Sequence, residues 1–230
     1  MRANVLFRVG VVIGVVIAGP AAMADSIFLT QNSYSFSNGG EFTARTSPED
    51  FLDSYLPATI VNGGFETFCV EASVYFHPGT GYYYTLSNID SQGRVLTEGA
   101  AFLYSQFAEG ALSGYDYFDS GNRRNDAGEL QAAIWHLQGN QSGESDYPGG
   151  GAGNPFYDLA VNSLGADGVT APDDGRYSVE ILQLWDAANN ACQNQLVVNP
   201  SETNVPEYSS SSLLAMGLAW AFFERRRIRR

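Results

Sequence analysis

Residues 129–137 read Glu-Leu-Gln-Ala-Ala-Ile-Trp-His-Leu, and this pattern predicts a helix with one buried face. Its aliphatic residues recur at helical spacing and share one stripe: Leu130, Ile134 and Leu137. Gln131 and Trp135 lie on the stripe beside it. We therefore expect the Gln131 carboxamide at the edge of a buried face rather than on the fully solvated side.

A second stretch, upstream of this helix, supplies a thiol. Cys69 lies within residues 65–76, whose β-branched and aromatic side chains are typical of a strand. A thiolate that faces a carboxamide can attack its carbon, expel ammonia and leave an internal thioester. We predict this reaction between Cys69 and Gln131, because both side chains are expected to be half-buried.

The two stretches together resemble the thioester domains of bacterial surface adhesins. The resemblance rests on Phe-Cys-Val-Glu at residues 68–71 and on Gln-Ala-Ala-Ile-Trp at residues 131–135, and it would cover residues 25–198. It departs from the family at Leu130, where Thr is frequent, and at Ala132, where a polar residue is often found. The resemblance implies that the Cys69 and Gln131 side chains are joined, and that a nucleophile on a target surface opens the bond.

Three neighbouring side chains have expected supporting roles. Phe68 and Trp135 are predicted to shield the thioester, because a dry pocket slows hydrolysis. Glu71 follows Cys69 by two residues and therefore lies on the same face of a strand. Glu71 could relay a proton during bond formation, although a surface carboxylate is the simpler interpretation.

The sequence gives little support for an enzyme. Its two histidines, His77 and His136, lack the flanking residues of a cysteine hydrolase, and His136 lies about 140° around the helix from Gln131. A thioester forms once and is spent once, so we predict covalent adhesion without catalysis. We predict no cofactor and no metal site, because turn formation explains the remaining carboxylates: Asp167, Asp173 and Asp174.

The chain has a second cysteine, Cys192, which opens an alternative. Exported proteins often oxidise such pairs, so a Cys69–Cys192 disulfide would explain both residues without thioester chemistry. The protein would then be a non-covalent extracellular matrix or carbohydrate-binding module. The two interpretations differ in whether a carboxamide has a chemical role.

The charged residues favour an amine-reactive protein and limit its partners. All 12 basic residues are Arg, so the chain has no lysine amine that could open its own thioester. Residues 25–204 contain five arginines and 23 acidic residues, which leaves a net charge of −18. This charge argues against nucleic acid as a partner. We expect the target to be an amine nucleophile on a surface protein or a polysaccharide.

The two ends of the chain have the composition of export signals. Residues 1–24 have the basic start, apolar core and small-residue cleavage site of a secretory signal peptide. After a linker at residues 199–204, residues 205–230 resemble the PEP-CTERM sorting tail of Gram-negative bacteria, with Tyr208 where the second Pro usually stands. An ordinary C-terminal membrane anchor is the alternative.

The resemblance of the tail has consequences for where the protein acts. It implies transient membrane association, processing by an exosortase-type enzyme and delivery to the cell surface or to an extracellular matrix such as biofilm exopolysaccharide. The protein is then secreted through the inner membrane.

The pattern of segments predicts a single α+β domain, a β-sandwich or barrel-like sheet with a helical insertion. The predicted strands span residues 26–36, 41–45, 65–76, 81–86, 177–185 and 195–199. One predicted helix begins at Ser47, and three others span residues 95–107, 126–137 and 155–164. A turn at Pro78-Gly79 is expected to pair the third and fourth strands as a hairpin.

Overall fold

Within the residues that the structure describes, the protein forms one antiparallel sheet of six strands together with three helices, which confirms the predicted α+β class and the single domain. The computed structural model describes residues 26–37, 39–47, 64–118, 120–140 and 147–199. In chain order the elements are β1 Ser26–Phe36, β2 Gly39–Ser47, β3 Phe65–Thr67, β4 Thr80–Ser87, α1 Glu98–Ala108, α2 Ser120–Leu137, α3 Pro155–Leu164, a 3-10 turn at Gly168–Thr170, β5 Val179–Trp185 and β6 Ala191–Val198.

Several predicted segments lie outside the described residues. They are the signal peptide at residues 1–24, the helix expected after Ser47, the linker beyond residue 199 and the tail at residues 205–230. Ser47 itself is the last residue of β2. Within the described ranges, no helix combines the length and the apolar character needed to cross a bilayer.

The sheet has the strand order β3-β2-β1-β4-β5-β6 and curls so that its two edge strands approach each other. After β3, the chain leaves β2 and runs beside β6: Leu196 N–H donates to Phe68 O (3.0 Å), and Val70 N–H donates to Asn194 O (2.9 Å). Cys69 is the bridge partner of Gln195. We call residues 68–70 and 194–196 the seam, because they join the opposite edges of the sheet.

The seam explains why the predicted hairpin at Pro78-Gly79 is wrong. The predicted strand at residues 65–76 is a strand only at Phe65–Thr67, because the following residues cross to β6. Strand β3 pairs with β2, whereas β4 pairs with β1 and β5. The residues that were expected to continue one long strand therefore connect two distant parts of the sheet.

Helix α2 packs against β1 and β2 through the face that carries Gly128, Gln131 and Trp135, beside the predicted apolar stripe. Leu130 and Ile134 are completely buried, and the contact is so close that a Cβ atom at Gly128 would lie 2.7 Å from the Phe36 ring. The helix ends at Leu137, and Gly139 follows with the positive φ of 68° that such a helix end favours. Gln131 is thereby held at a fixed height above the sheet.

A buried ion pair also connects α2 to the sheet. Arg123 on α2 forms a two-pronged pair with Glu41 on β2, and its Nε lies 2.9 Å from Glu41 Oε2. The Tyr115 hydroxyl donates to the same oxygen at 2.8 Å. Because each charge has a partner, this pair avoids the large cost of an isolated buried charge.

Glu66, on β3, is a second buried carboxyl in this region, and no arginine pairs with it directly among the described residues. Burial and the negative charge of Glu41 raise the pKa of Glu66 to about 8. The folded protein therefore holds a proton on Glu66 at neutral pH, whereas the unfolded chain releases it.

Asn154 fixes the start of α3 to the end of its neighbour. Its Oδ1 accepts from Phe156 N–H (3.0 Å) and Tyr157 N–H (3.2 Å), as expected of a helix cap. Its Nδ2 donates to Glu129 O on α2 at 2.9 Å. One buried amide thus caps α3 and holds it against the helix that carries Gln131.

We predict that Asn154→Ala lowers the free energy of unfolding by about 1–3 kcal/mol, because it removes the cap and leaves buried backbone groups without partners. Denaturant unfolding measures the change. Asn162→Ala is the matched control, because Asn162 is exposed on the same helix, and its effect should stay within about 0.5 kcal/mol. Equal effects of the two substitutions would contradict the interpretation.

We predict that stability falls as the pH rises from about 4.5 to about 8, because between these values the folded state binds the Glu66 proton and the unfolded state does not. Glu66→Gln should reduce this pH dependence. Thermal unfolding of both proteins at a series of pH values measures it. Identical slopes for the two proteins over this range would show that Glu66 is ionised in the folded state.

Candidate functional site

Gln131 and Cys69, the two residues predicted to react, lie in direct contact in the core. Gln131 Oε1 accepts from Cys69 N–H (2.9 Å), and Gln131 Nε2 donates to Cys69 O (2.7 Å). Both residues are completely buried, so Gln131 is deeper than the edge position expected from the sequence. The carboxamide occupies the place of a neighbouring strand and satisfies both backbone groups of Cys69.

The Cys69 sulfur itself contacts a different carboxamide, that of Gln195 on β6. Gln195 Nε2 lies 3.5 Å from Cys69 Sγ and also donates to Gln193 O at 3.3 Å. Gln195 is completely buried, and its Oε1 has no hydrogen-bond partner among the described residues. Sequence reasoning missed Gln195 as a site residue, because only the pairing across the seam brings it to the thiol.

Two buried carboxamides therefore contact Cys69, one at its backbone and the other at its sulfur. Both polar atoms of the Gln131 group are held by the backbone of Cys69, whereas the oxygen of the Gln195 group is unpaired. The unpaired oxygen of Gln195 destabilises the folded state, because a buried polar atom without a partner loses its hydration. A carboxamide is retained in such a position when it has another role. Gln195 Nε2 donates a hydrogen bond to the sulfur at 3.5 Å.

The environment keeps the thiol protonated. Burial raises the pKa of Cys69 strongly, the hydrogen bond from Gln195 opposes this rise, and the charge of Glu71 adds to it. A thiolate is the reactive form of cysteine. Any attack by Cys69 therefore requires that its proton moves to a neighbouring atom as the new bond forms.

Glu71 is not the surface carboxylate that the sequence suggested, because it is completely buried. Its two oxygens accept from Ser91 N–H (3.0 Å), Ser91 Oγ (2.9 Å), Asn194 N–H (2.9 Å) and Asn194 Nδ2 (2.8 Å). Burial raises the pKa of Glu71, and these hydrogen bonds oppose the rise. With its acceptors occupied, Glu71 holds the Cys69 segment against β6, and its role as a proton relay stays a prediction.

Phe68 and Trp135, the predicted shielding residues, are both buried near the pair. Phe68 packs edge-on against Phe107, with ring centroids 4.9 Å apart. A Cβ atom at Gly39 would lie 3.0 Å from Trp135 and 3.2 Å from Gln131, so these two side chains lie side by side over β2. Their shielding of a thioester stays a prediction.

The two cysteines have separate surroundings. Both are free thiols in this structure. Cys192 pairs with Leu184 in the sheet, and its sulfur lies 3.6 Å from Asn190 O, whereas the Cys69 sulfur contacts Gln195. The disulfide of the alternative interpretation thus stays a prediction that the chemical test below addresses.

The histidines and the remaining carboxylates lie elsewhere. His77 is exposed, and His136 is half-buried with its ring edge-on to Tyr157 at 5.1 Å. Within the described ranges, neither hydrogen-bonds to Cys69.

Asp173 and Asp174 group with Glu98 rather than with Asp167, and their ligand atoms lie within 4.8 Å of one another. Arg176 lies 2.7 Å from both Glu98 and Asp174, so an arginine already neutralises part of this group. Burial and the charge of Glu98 raise the pKa of Asp173 to about 6. The cluster links α1 to the segment before β5.

Comparison of the chain with family models, with curated proteins and with solved structures found no match. The function proposed below is therefore inferred from the contacts around Cys69.

We predict that Gln131→Ala lowers the free energy of unfolding by about 2–4 kcal/mol, because two buried backbone groups of Cys69 lose their partners. Denaturant unfolding should be measured after treatment with methylamine, so that a covalent bond does not contribute. Gln92→Ala is the matched control, because Gln92 is exposed and makes one side-chain contact, to Ser73 (3.2 Å). A loss at Gln131 no greater than at Gln92 would contradict the positioning role.

Proposed function

We propose that this protein is an exported surface or matrix protein whose domain forms an internal thioester for covalent attachment to amines. One observation carries the proposal: the buried Cys69 contacts two buried glutamine carboxamides, Gln195 at its sulfur and Gln131 at its backbone, in a chain without lysine. A thiol and a carboxamide are the two groups that this reaction consumes. The bond is spent in a single turnover, so the protein is not an enzyme.

The contacts favour Gln195 as the glutamine that reacts. Its nitrogen, the atom that must leave, touches the attacking sulfur at 3.5 Å. Gln131, the electrophile predicted from the sequence, has both polar atoms bound by the Cys69 backbone. In the proposed reaction Gln131 holds the backbone of Cys69 in place, and Gln195 supplies the acyl carbon.

The reaction is balanced without any cofactor. Cys69 Sγ attacks Gln195 Cδ, the bond between Cδ and Nε2 breaks, and the thiol proton moves to Nε2, which leaves as ammonia. The contact between Sγ and Nε2 supports this transfer, because Nε2 lies 3.5 Å from the protonated thiol and becomes basic once Sγ has added to Cδ. An amine of the target later attacks the same carbon and restores the thiol.

Charge and composition support the choice of target. The segment between the two export signals carries a net charge of −18, which attracts protonated amines on a protein or polysaccharide surface. The absence of lysine means that neighbouring copies of the chain have no side-chain amine to consume the thioester. Export, exosortase-type processing of the tail and location at the cell surface or in the matrix belong to the same proposal.

We predict that the thioester makes the mass of the intact protein lower by one ammonia than the mass calculated from its sequence. Methylamine should then raise the measured mass by the mass of one methylamine and release one thiol. Intact mass spectrometry before and after treatment measures both changes. Cys69→Ala should abolish the methylamine response, and Cys192→Ala should leave it intact. A protein lighter by two hydrogens, insensitive to methylamine and restored by a reductant, would indicate the disulfide and a non-covalent module.

Arginine-specific digestion identifies the glutamine in the wild-type protein. Because the chain has no lysine, Gln131 falls in the peptide of residues 125–176 and Gln195 in that of residues 177–225. The proposal predicts N-methylglutamine at residue 195. N-methylglutamine at residue 131 would instead identify Gln131 as the electrophile. That result would contradict the role of Gln195 but not the thioester function.

A further inference from the structure

A second group of reactive side chains lies on β1, β2 and β3, away from Cys69. Thr43 Oγ1 donates to Glu66 Oε1 at 2.9 Å, and Asn32 Nδ2 donates to Glu66 Oε2. Asn32 Nδ2 also lies 3.4 Å from Thr43 Oγ1. A hydroxyl, a carboxamide and a carboxyl group are thus in mutual contact, and Thr43 and Glu66 are almost completely buried.

The contacts give each atom a separate role in an acyl transfer. Thr43 supplies a hydroxyl nucleophile, and its hydrogen bond to Glu66 leads to an oxygen that accepts the hydroxyl proton. The carbonyl oxygen of Asn32 accepts from Tyr34 N–H at 2.8 Å, and a donor in this position stabilises the negative charge of a tetrahedral intermediate. The amide nitrogen of Asn32, which must leave, faces the other oxygen of Glu66.

We propose that Thr43 and Asn32 form an intramolecular ester that covalently joins β1 to β2. Thr43 Oγ1 attacks Asn32 Cγ, and the bond between Cγ and Nδ2 breaks. Glu66 takes the hydroxyl proton on one oxygen and delivers a proton from the other oxygen to Nδ2, which departs as ammonia. Glu66 ends in the state in which it began, and no oxidant or cofactor is consumed.

The surroundings suit this relay. Burial keeps a proton on Glu66 near neutral pH, so that a proton for the leaving nitrogen is present. The Arg123–Glu41 pair lies beside it, and Arg123 stacks over the Tyr34 ring at 4.1 Å, which fixes the residue whose N–H faces Asn32. None of these residues belongs to the Cys69 site, so the ester is independent of the thioester.

The position of the ester explains why a covalent link is useful there. The pairing of β1 with β2 is regular from Ser26 to Gln31 and then loses its register until Ser35. Asn32 lies at the start of this irregular stretch, where the backbone ladder no longer holds the strands together. An ester from Asn32 to Thr43 replaces the missing ladder bonds with one covalent bond.

The wild-type protein allows a direct test. Asn32 and Thr43 fall within one arginine-specific peptide, which ends at Arg45, whereas Cys69, Gln131 and Gln195 all lie in later peptides. We expect this peptide to be one ammonia lighter than its sequence and to yield no backbone fragments between residues 32 and 43. The mass should not respond to methylamine under native conditions.

Two variants separate the ester from its alternatives. Thr43→Val and Glu66→Gln should each restore the full mass of the peptide, and Thr85→Val, at an exposed strand position, should leave it light. A succinimide at Asn32 also loses ammonia, but it would persist in Thr43→Val and would permit fragmentation between residues 32 and 43. A wild-type peptide of full mass, or a light peptide in Thr43→Val, would overturn the proposal.

Discussion

The structure depends on how the backbone of Cys69 is held between a strand and a side chain. An edge strand leaves a row of peptide groups without partners, and a curled sheet has two such edges. Here residues 68–70 pair with β6 on one side, while the Gln131 carboxamide satisfies the other. The same three residues therefore close the sheet, fix α2 above it and bury the thiol.

This arrangement explains which parts of the molecule were predictable. The apolar stripe of α2, the end of that helix at Leu137 and the bounds of α3 are local signals, and each appears in the structure where the sequence predicts it. Strand β1 was predictable with its bounds for the same reason. The hydrogen bonds of these elements and the spacing of their apolar residues depend on residues that are close together in the sequence.

The site was predictable only in part, because its remaining contacts are non-local. The motif at Gln131 indicated a carboxamide in the core, but nothing around Gln195 marks it, since a glutamine within a strand usually faces solvent. The sequence does not indicate strand pairing either. Residues 65–76 have the composition of a strand, but nothing in them predicts that residues 68–70 pair with β6. The burial of Glu71 follows from that same crossing.

The acidic composition conceals how the carboxylates are divided between surface and core. Three of them are buried close to the sheet, and each is compensated in a different way. Glu41 has an arginine, Glu71 has backbone and side-chain donors from β6 and the Ser91 turn, and Glu66 keeps its proton. The net charge of the chain therefore describes the outer surface only after these three buried carboxylates and the buried arginine are left out of the sum.

In the proposed function, the long separation along the chain between Cys69 and Gln195 determines when the thioester can form. Cys69 and Gln195 are 126 residues apart, and they meet only when the last strand has joined the sheet. Under the proposed function, a chain that crosses the membrane unfolded carries an ordinary thiol and an ordinary amide, neither of which reacts with amines. In that proposal the electrophile arises only after export and folding, so that cytoplasmic amines never encounter it.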